Sequence, residues 1–329
     1  MVDPMERNVV VVGGAGYVGS HACKALAKAG YRPVVVDNLS TGNRWAVKWG
    51  PLELADMHRP EQLSDVFRRY APIGVLHFAA DALVGESMRH PSRYYRNNIV
   101  GTLNLLDACR TADCRHFVFS STCAVYGNAA ALPIREDTPT VPVNPYGASK
   151  LMVERILADH AMAYGLRYAA LRYFNAAGAD PDGEIGECRI VETHLIPLAI
   201  DAVLGRRPPL RIFGDDYPTE DGTAIRDYVH VSELASAHVR ALDHLLRGGE
   251  PLVVNLGSGC GHSVHQVINC IEKISGRNVP HTVESRRSGD PPFLVADISL
   301  AKNDLEIVFD SALEKIVATA WSWATARLT

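Results

Sequence analysis

Short apolar runs recur through the first half of the chain, separated by longer stretches whose apolar positions fall on one helical face. The runs are Val9–Val12, Val34–Val36, Val75–Phe78, Phe117–Ser120 and Tyr168–Arg172. Each is short and largely apolar, as strands buried on both faces are. Ser20–Ala29, Asn98–Ala112 and Tyr146–Tyr164 fall between them and read as helices. Strand and helix in alternation predict βαβ crossovers, hence an α/β fold with a doubly wound parallel sheet covered on both faces.

The texture changes after Phe174. Ala176–Glu187 is rich in Gly, Pro and Asp, and Arg206–Gly222 carries Pro208, Pro209, Gly214 and Pro218. Loops of this kind usually bear function rather than packing. Leu252–Leu256 then returns to strand character and is free to rejoin the first sheet. A length of 329 residues suits about two domains at ~150 residues each. The expected division is one domain over 1–174 plus about 228–258, and a smaller, discontinuous α/β domain over about 175–227 plus 259–329.

Composition narrows the class. Apolar residues are 47% and charged residues 21%, the profile of an ordinary globular protein. Acidic residues outnumber basic ones by 37 to 33, which argues against a general binder of nucleic acid or anionic membrane. The seven cysteines are scattered without a C-x-x-C pair, so neither a disulfide framework nor a structural zinc site is expected, and no metal is called for. No apolar run approaches the ~20 residues that span a bilayer. The first residues lack a secretory pattern, and the expected location is cytoplasmic.

Two motifs carry chemistry. Val9–Val12 runs directly into Gly13-Gly14-Ala15-Gly16-Tyr17-Val18-Gly19 and then a helical stretch. Glycines so spaced permit a tight turn, close approach of a pyrophosphate and close helix packing, with the helix N-terminus favouring the anion. Eighteen residues past Gly19, at the end of the second strand, stands Asp37. A carboxylate there hydrogen-bonds the adenosine ribose and repels a 2′-phosphate, which favours NAD over NADP in a Rossmann-like domain.

The second motif is Tyr146-Gly147-Ala148-Ser149-Lys150, where a spacing of four puts Tyr146 and Lys150 on one helical face. A tyrosine needs help to act as a base; bringing its pKa from ~10 to ~7 takes about 4 kcal/mol. The ammonium of Lys150 and a nicotinamide cation are expected to supply it. Upstream, Phe119-Ser120-Ser121-Thr122 is expected to present hydroxyls at the carboxyl edge of the sheet, where ligands of open α/β folds bind.

The glycine turn, Phe78-Ala79-Ala80, the Ser120–Gly127 segment and the Tyr146/Lys150 pair resemble the extended short-chain dehydrogenase/reductase superfamily. Leu171–Asn175, Tyr217–Tyr228 and Arg286–Asp290 narrow the resemblance, over nearly the whole chain, to the UDP-glucose 4-epimerase family. That resemblance implies Tyr146 as catalytic base, Lys150 as its partner and Thr122 as the hydroxyl that orients the sugar. It implies cofactor contacts from Gly13, Gly16, Tyr17, Val18, Gly19, Asp37, Asn38, Asp56, Met57, Phe78, Ala79, Ala80, Asn97, Ser120, Tyr146, Lys150 (which also holds the nicotinamide ribose) and Tyr173. On the UDP-sugar side it implies Asn175, Arg226 and Arg287 at the phosphates, Phe213 near uracil and Asp290 at the uridine ribose. It further implies a homodimer built on the helices Asn98–Ala112 and Tyr146–Tyr164.

The chain departs from the family pattern at three points. Ala82 stands where some members carry a lysine near the cofactor. Glu192-Thr193-His194-Leu195 replaces an Asn-Asn-Leu version, which makes His194 and Leu195 candidate substrate contacts. Leu294 occupies a position where a bulky tyrosine can restrict the sugar 2-substituent, so UDP-N-acetylhexosamines are a second candidate substrate. A UDP-pentose or UDP-uronate 4-epimerase is the nearest alternative. A nucleotide-sugar dehydratase is disfavoured because Cys123-Ala124 stands where such enzymes place an acidic pair, and an idle NAD-sensing regulator because Tyr146 and Lys150 are both present.

Overall fold

The computed structural model describes residues 7–129, 131–287, 290–310 and 312–326. The first six residues, and Ser288 and Gly289 of the Arg286–Asp290 motif, lie outside the described residues.

In chain order the first half runs β1 (Asn8–Val12), α1 (Tyr17–Lys28), β2 (Arg32–Asp37), β3 (Leu52–Leu54), α2 (Pro60–Tyr70) and β4 (Gly74–His77). It continues with α3 (Val84–Arg89), α4 (Pro91–Tyr95), α5 (Gly101–Thr111), β5 (His116–Thr122), α6 (Pro145–Tyr164) and β6 (Arg167–Tyr173). The second half holds β7 (Asn175–Ala177), α7 (Leu195–Val203), β8 (Leu210–Phe213), β9 (Ile225–His230), α8 (Val231–Leu246) and β10 (Leu252–Leu256). It closes with β11 (Gly261–Ser263), α9 (Val264–Ser275), β12 (His281–Glu284), β13 (Phe293–Leu294), α10 (Ser299–Asp304) and α11 (Leu313–Ala326).

Seven strands form one sheet in the order β10-β6-β5-β4-β1-β2-β3, and every pairing is parallel. The apolar runs are continuous because both faces are covered. Val9 and Val11 point into one core layer with Leu26 of α1 and Leu234 and Leu242 of α8. Val10 and Val12 point into the other with Leu63 of α2, Leu105 of α5 and Leu157 of α6. The strand order reverses between β1 and β4, and ligands of such sheets bind outside the carboxyl ends at that point. Leu252–Leu256 does rejoin the large sheet, beside β6.

Smaller sheets lie beyond this edge: β9 pairs with β7, β11 and β13, and β8 pairs with β12. A separate apolar cluster under them joins Ile196 and Ile200 of α7, Ile268 and Ile271 of α9 and Ile316 of α11.

Some boundaries differ from those the pattern predicts. The first helix begins at Tyr17, not Ser20, because its first turn is glycine and tyrosine rather than an amphipathic repeat. The helix expected from Asn98 opens with a wide turn over Arg96–Val100. Strand β4 ends at His77, since the N–H groups of Phe78 and Ala79 both donate to Val12 O. Strand β3 has only three residues, too few to show a period.

Candidate active site

The glycine turn is built by close approach. Gly13 takes a φ of +82°, and a Cβ there would lie 2.6 Å from Ala79 N. A Cβ on Gly19 would lie 2.2 Å from Gly13 O, so the first turn of α1 fits against β1 only without a side chain. Gly16 caps α1 in extended conformation, and the amides of Tyr17, Val18 and Gly19 that follow have no acceptor within the helix. Such a side-chain-free cradle of donors fits a pyrophosphate. Phe78, Ala79 and Ala80 leave β4 alongside it.

Asp37 is fixed at the same edge. Its two carboxylate oxygens accept from Ala15 N at 3.0 Å and Leu39 N at 2.8 Å. Burial raises its pKa, and these two amides only partly oppose the shift. Farther out, Asn38 donates to Asp56 at 3.0 Å, while Met57 is buried against Gly101 and its carbonyl accepts from Asn104 at 2.9 Å. Cradle, acid and edge pocket together fit a dinucleotide.

The second half of the site comes from β5 and α6. Asn144 caps α6 by accepting from Gly147 N at 2.8 Å, with Pro145 at its first position. A Cβ on Gly147 would lie 2.5 Å from Ala124 O, so this glycine lets the helix start press against the turn that follows Thr122. The result is that the buried Thr122 side chain stands beside the buried Tyr146 phenol, close enough to act on its ionisation. Thr122 Oγ1 accepts from Ala124 N at 3.1 Å. Lys150 donates to Ser120 O at 2.8 Å, and Ser120 Oγ lies 2.7 Å from the Tyr173 hydroxyl.

Burial dominates the electrostatics of this pocket. Burial pushes the Tyr146 phenol well above its ordinary range, Tyr173 adds to the shift, and Thr122 opposes it. The Lys150 ammonium donates to a backbone carbonyl, and burial brings its own pKa down to about 7. A dry pocket penalises both charges.

Beyond the large sheet, side chains from distant segments meet. Arg226 donates to Asp290 at 2.5 Å, and the Arg287 guanidinium stacks over Phe213 at 3.9 Å. Asn175 donates to Asp227 O at 2.9 Å. Leu294 lies opposite Arg226 in the register of β13 and β9 and packs against the cluster that also receives Cys123. A cavity of about 320 Å³ opens beside Asp290, Pro291 and Phe293.

The other three candidates make contacts within the protein. His194 caps α7, and its Nδ1 lies 2.8 Å from a Glu187 carboxylate oxygen. Leu195 packs on the apolar cluster of the smaller region. Asn97 approaches His58 at 3.3 Å, whereas buried Asn98 bonds the backbone of Asp81 and the Ser149 hydroxyl. Asn98 thus ties the start of α5 to the base helix. Also absent from the expected set is the buried ion pair of Arg172 and Glu154 at 2.6 Å, joined by Ser121 and Tyr126. An arginine inside an apolar strand is itself a sign of a buried partner.

A family model for the NAD dependent epimerase/dehydratase family matches residues 9–257, and the chain belongs to that family. It is 50% identical over 317 residues to a UDP-glucose 4-epimerase of Rhizobium leguminosarum bv. trifolii, covering 96% of this chain and 97% of that protein. Among solved structures it is similar to UDP-glucose 4-epimerase from Brucella ovis in complex with NAD, with a TM-score of 0.94, 52% identity, and coverage of 96% and 98% of the two chains. It is also similar to the enzyme from Stenotrophomonas maltophila with bound NAD and formylated UDP-arabinopyranose, with a TM-score of 0.95, 39% identity, and coverage of 98% and 100%. Among the described residues no helix is long and apolar enough to cross a membrane.

Proposed function

We propose that the protein interconverts UDP-galactose and UDP-glucose with NAD as resident cofactor, by oxidising the sugar at C4, letting the 4-keto sugar turn over, and reducing it on the opposite face. The observation that carries this reading is the buried Tyr146–Thr122 hydroxyl pair, with Lys150 one helical turn on, beside a glycine cradle at the switch point of the sheet. The kinship with UDP-glucose 4-epimerases at about half identity supports the sugar.

The cradle at Gly13–Gly19, Asp37, and the Asp56–Met57 edge hold the dinucleotide; Asn38, Phe78, Ala79, Ala80, Asn97, Ser120 and Tyr173 border it. Bound NAD supplies a hydride acceptor and donor for C4 and a positive ring beside the base. Opposite charge nearby favours the phenolate form of Tyr146 that burial alone opposes. Tyr146 takes the proton of the sugar 4-hydroxyl, which Thr122 orients, and later returns it on the other face. Arg226, Arg287 and Asn175 grip the UDP phosphates, for which a guanidinium fork is suited, while the sugar end stays loose enough to turn. Phe213 and Asp290 receive the uridine.

NAD-loaded protein given UDP-galactose alone yields UDP-glucose with no accumulation of NADH; no conversion would overturn the reading. Leu294 supports a second activity on UDP-N-acetylhexosamines, since leucine leaves room that tyrosine would fill. Competition at equal concentration, with UDP-pentoses and UDP-uronates in the panel, ranks the sugars. A large preference for UDP-galactose over UDP-N-acetylgalactosamine would reject the second activity.

The assembly is a homodimer through α5 and α6, supported by exposed Leu103 and Met152 on these helices and Val100 just before α5. Light scattering then reads about twice 35.8 kDa. A cytoplasmic location is supported by seven cysteines that are all free.

A further inference from the structure

The segment between β7 and α7 runs back over the glycine turn and α1. Lys24 of α1 meets Asp180, Asp182 and Glu184, each at 2.7 Å. Tyr17 donates its phenol to Gly178 O at 2.6 Å, and Lys48 donates to Glu184 O at 3.0 Å. Asn43 makes the most direct tie: its N–H donates to Ala15 O of the glycine turn at 2.8 Å, and its side chain to Cys188 O at 2.9 Å. From the other side Trp323 donates to Glu187 O at 3.0 Å and packs on Gly186. Cys188 and Arg189 are thereby strapped to the edge where the dinucleotide binds.

Arg189 is held by one edge only. Its Nε donates to Glu187 at 2.7 Å, and among the described residues its two terminal nitrogens have no hydrogen-bond partner. Glu187 is itself engaged with His194, and Glu192 accepts from the amides of Thr193 and His194. A guanidinium oriented in this way keeps a fork of donors suited to a bidentate anion. Its charge is felt at Tyr17, which opens α1 at the cradle and where the neighbouring Glu187 carboxylate outweighs it, and at Tyr146 and Tyr173 on the other side of the cleft. The anion expected between cradle and base is a pyrophosphate.

We propose that Arg189 is a further cofactor-holding residue, its unpaired fork reserved for the pyrophosphate of the bound dinucleotide, so that the strap slows the escape of NAD. This rests on the dinucleotide reading of the cradle and not on which sugar is processed. Once the site is loaded, the same arginine adds positive charge on the side where Tyr146 must ionise.

The test compares the parent with Arg189→Gln and Arg189→Lys, measuring the dissociation rate of NAD and the affinities for ADP-ribose and for adenosine. In Arg189→Gln the rate of NAD loss rises about tenfold and ADP-ribose weakens by the same factor, the worth of one charge-assisted contact. Adenosine, which has no phosphate, binds unchanged, and Arg189→Lys recovers most of the loss. Arg189→Met serves the same comparison should Arg189→Gln lose its fold. ADP-ribose affinity within twofold of the parent, or an equal loss for adenosine, would overturn the proposal. A parent that binds no NAD at all would instead overturn the dinucleotide reading beneath it.

Discussion

The two ends of the cleft are built by different means. At the dinucleotide end the work falls to the backbone: Gly13 and Gly19 allow approaches that no Cβ would permit, and Asp37 is fixed by main-chain amides of Ala15 and Leu39. At the end proposed for the nucleotide-sugar it falls to side chains from distant segments. Arg226 and Asp290 are 64 residues apart, and Arg287 reaches Phe213 from the far side of α9. A backbone-built site is stiff and folds with its sheet. A charge-built site is adjustable and nearly decoupled from the fold, which suits a sugar that must turn while its phosphates stay held. Tyr146 stands between the two and belongs to neither.

Perturbing the join gives the largest effect. Tyr146→Phe removes one oxygen, and turnover is expected to fall ~10²–10⁴-fold, the usual range for a lost general base. UDP affinity stays within about twofold by the same reasoning, because the phenol does not grip the UDP. Turnover kinetics with titration of UDP check this; a parallel fall in binding would mean that the phenol is structural.

Arg226→Ala tests the charge-built end. Loss of a charged hydrogen-bonding contact costs about 1.5–3 kcal/mol, read as a KM for the UDP-sugar about 10- to 150-fold higher. The apo fold should lose less than about 1 kcal/mol, since the Asp290 pair is only partly buried.

Gly19→Ala is the opposite case. Its methyl meets Gly13 O, and forcing atoms into a packed turn costs about 1–3 kcal/mol. Here NAD retention and apo stability fall together, as urea denaturation and bound-nucleotide assay should show. If Gly19→Ala spared the apo fold, or Arg226→Ala unfolded it, the contrast between the ends would fail.

The smallest effect is a pH slope. Burial holds Lys150 down to about 7, while the unfolded chain keeps that proton at higher pH. Between about pH 7 and 8.5, before most cysteines titrate, the unfolded state binds more protons and apo stability rises with pH. The slope from one group is at most about 1.4 kcal/mol per pH unit. Denaturation of the parent against Lys150→Met isolates it, because the variant lacks this contribution.

The same division decides what could be read from the chain. The valine runs, the glycine turn and Asp37 lie in contiguous sequence whose period and spacing carry their meaning, and the large sheet follows from them. The start of α1 was hidden because a glycine-rich first turn has no amphipathic repeat, and Leu52–Leu54 because three residues make no pattern. Arg226 and Asp290 carry no local sign that they meet; only the register of β9 with β13 brings their segments together. The roles of Gly147 and of the strap over Asn43 depend on contacts between elements, which no spacing rule expresses. The ionisation of Tyr146 is likewise a matter of burial, visible only once α6 is docked on β5.

The central claim is that one hydrogen leaves C4 and returns to it inside a closed cleft. UDP-galactose carrying deuterium at C4, converted by the NAD-loaded protein in ordinary water, measures this directly by NMR of the product. The account predicts UDP-glucose with deuterium still at C4. Product with protium at that carbon, or recovered substrate with no product, would contradict it.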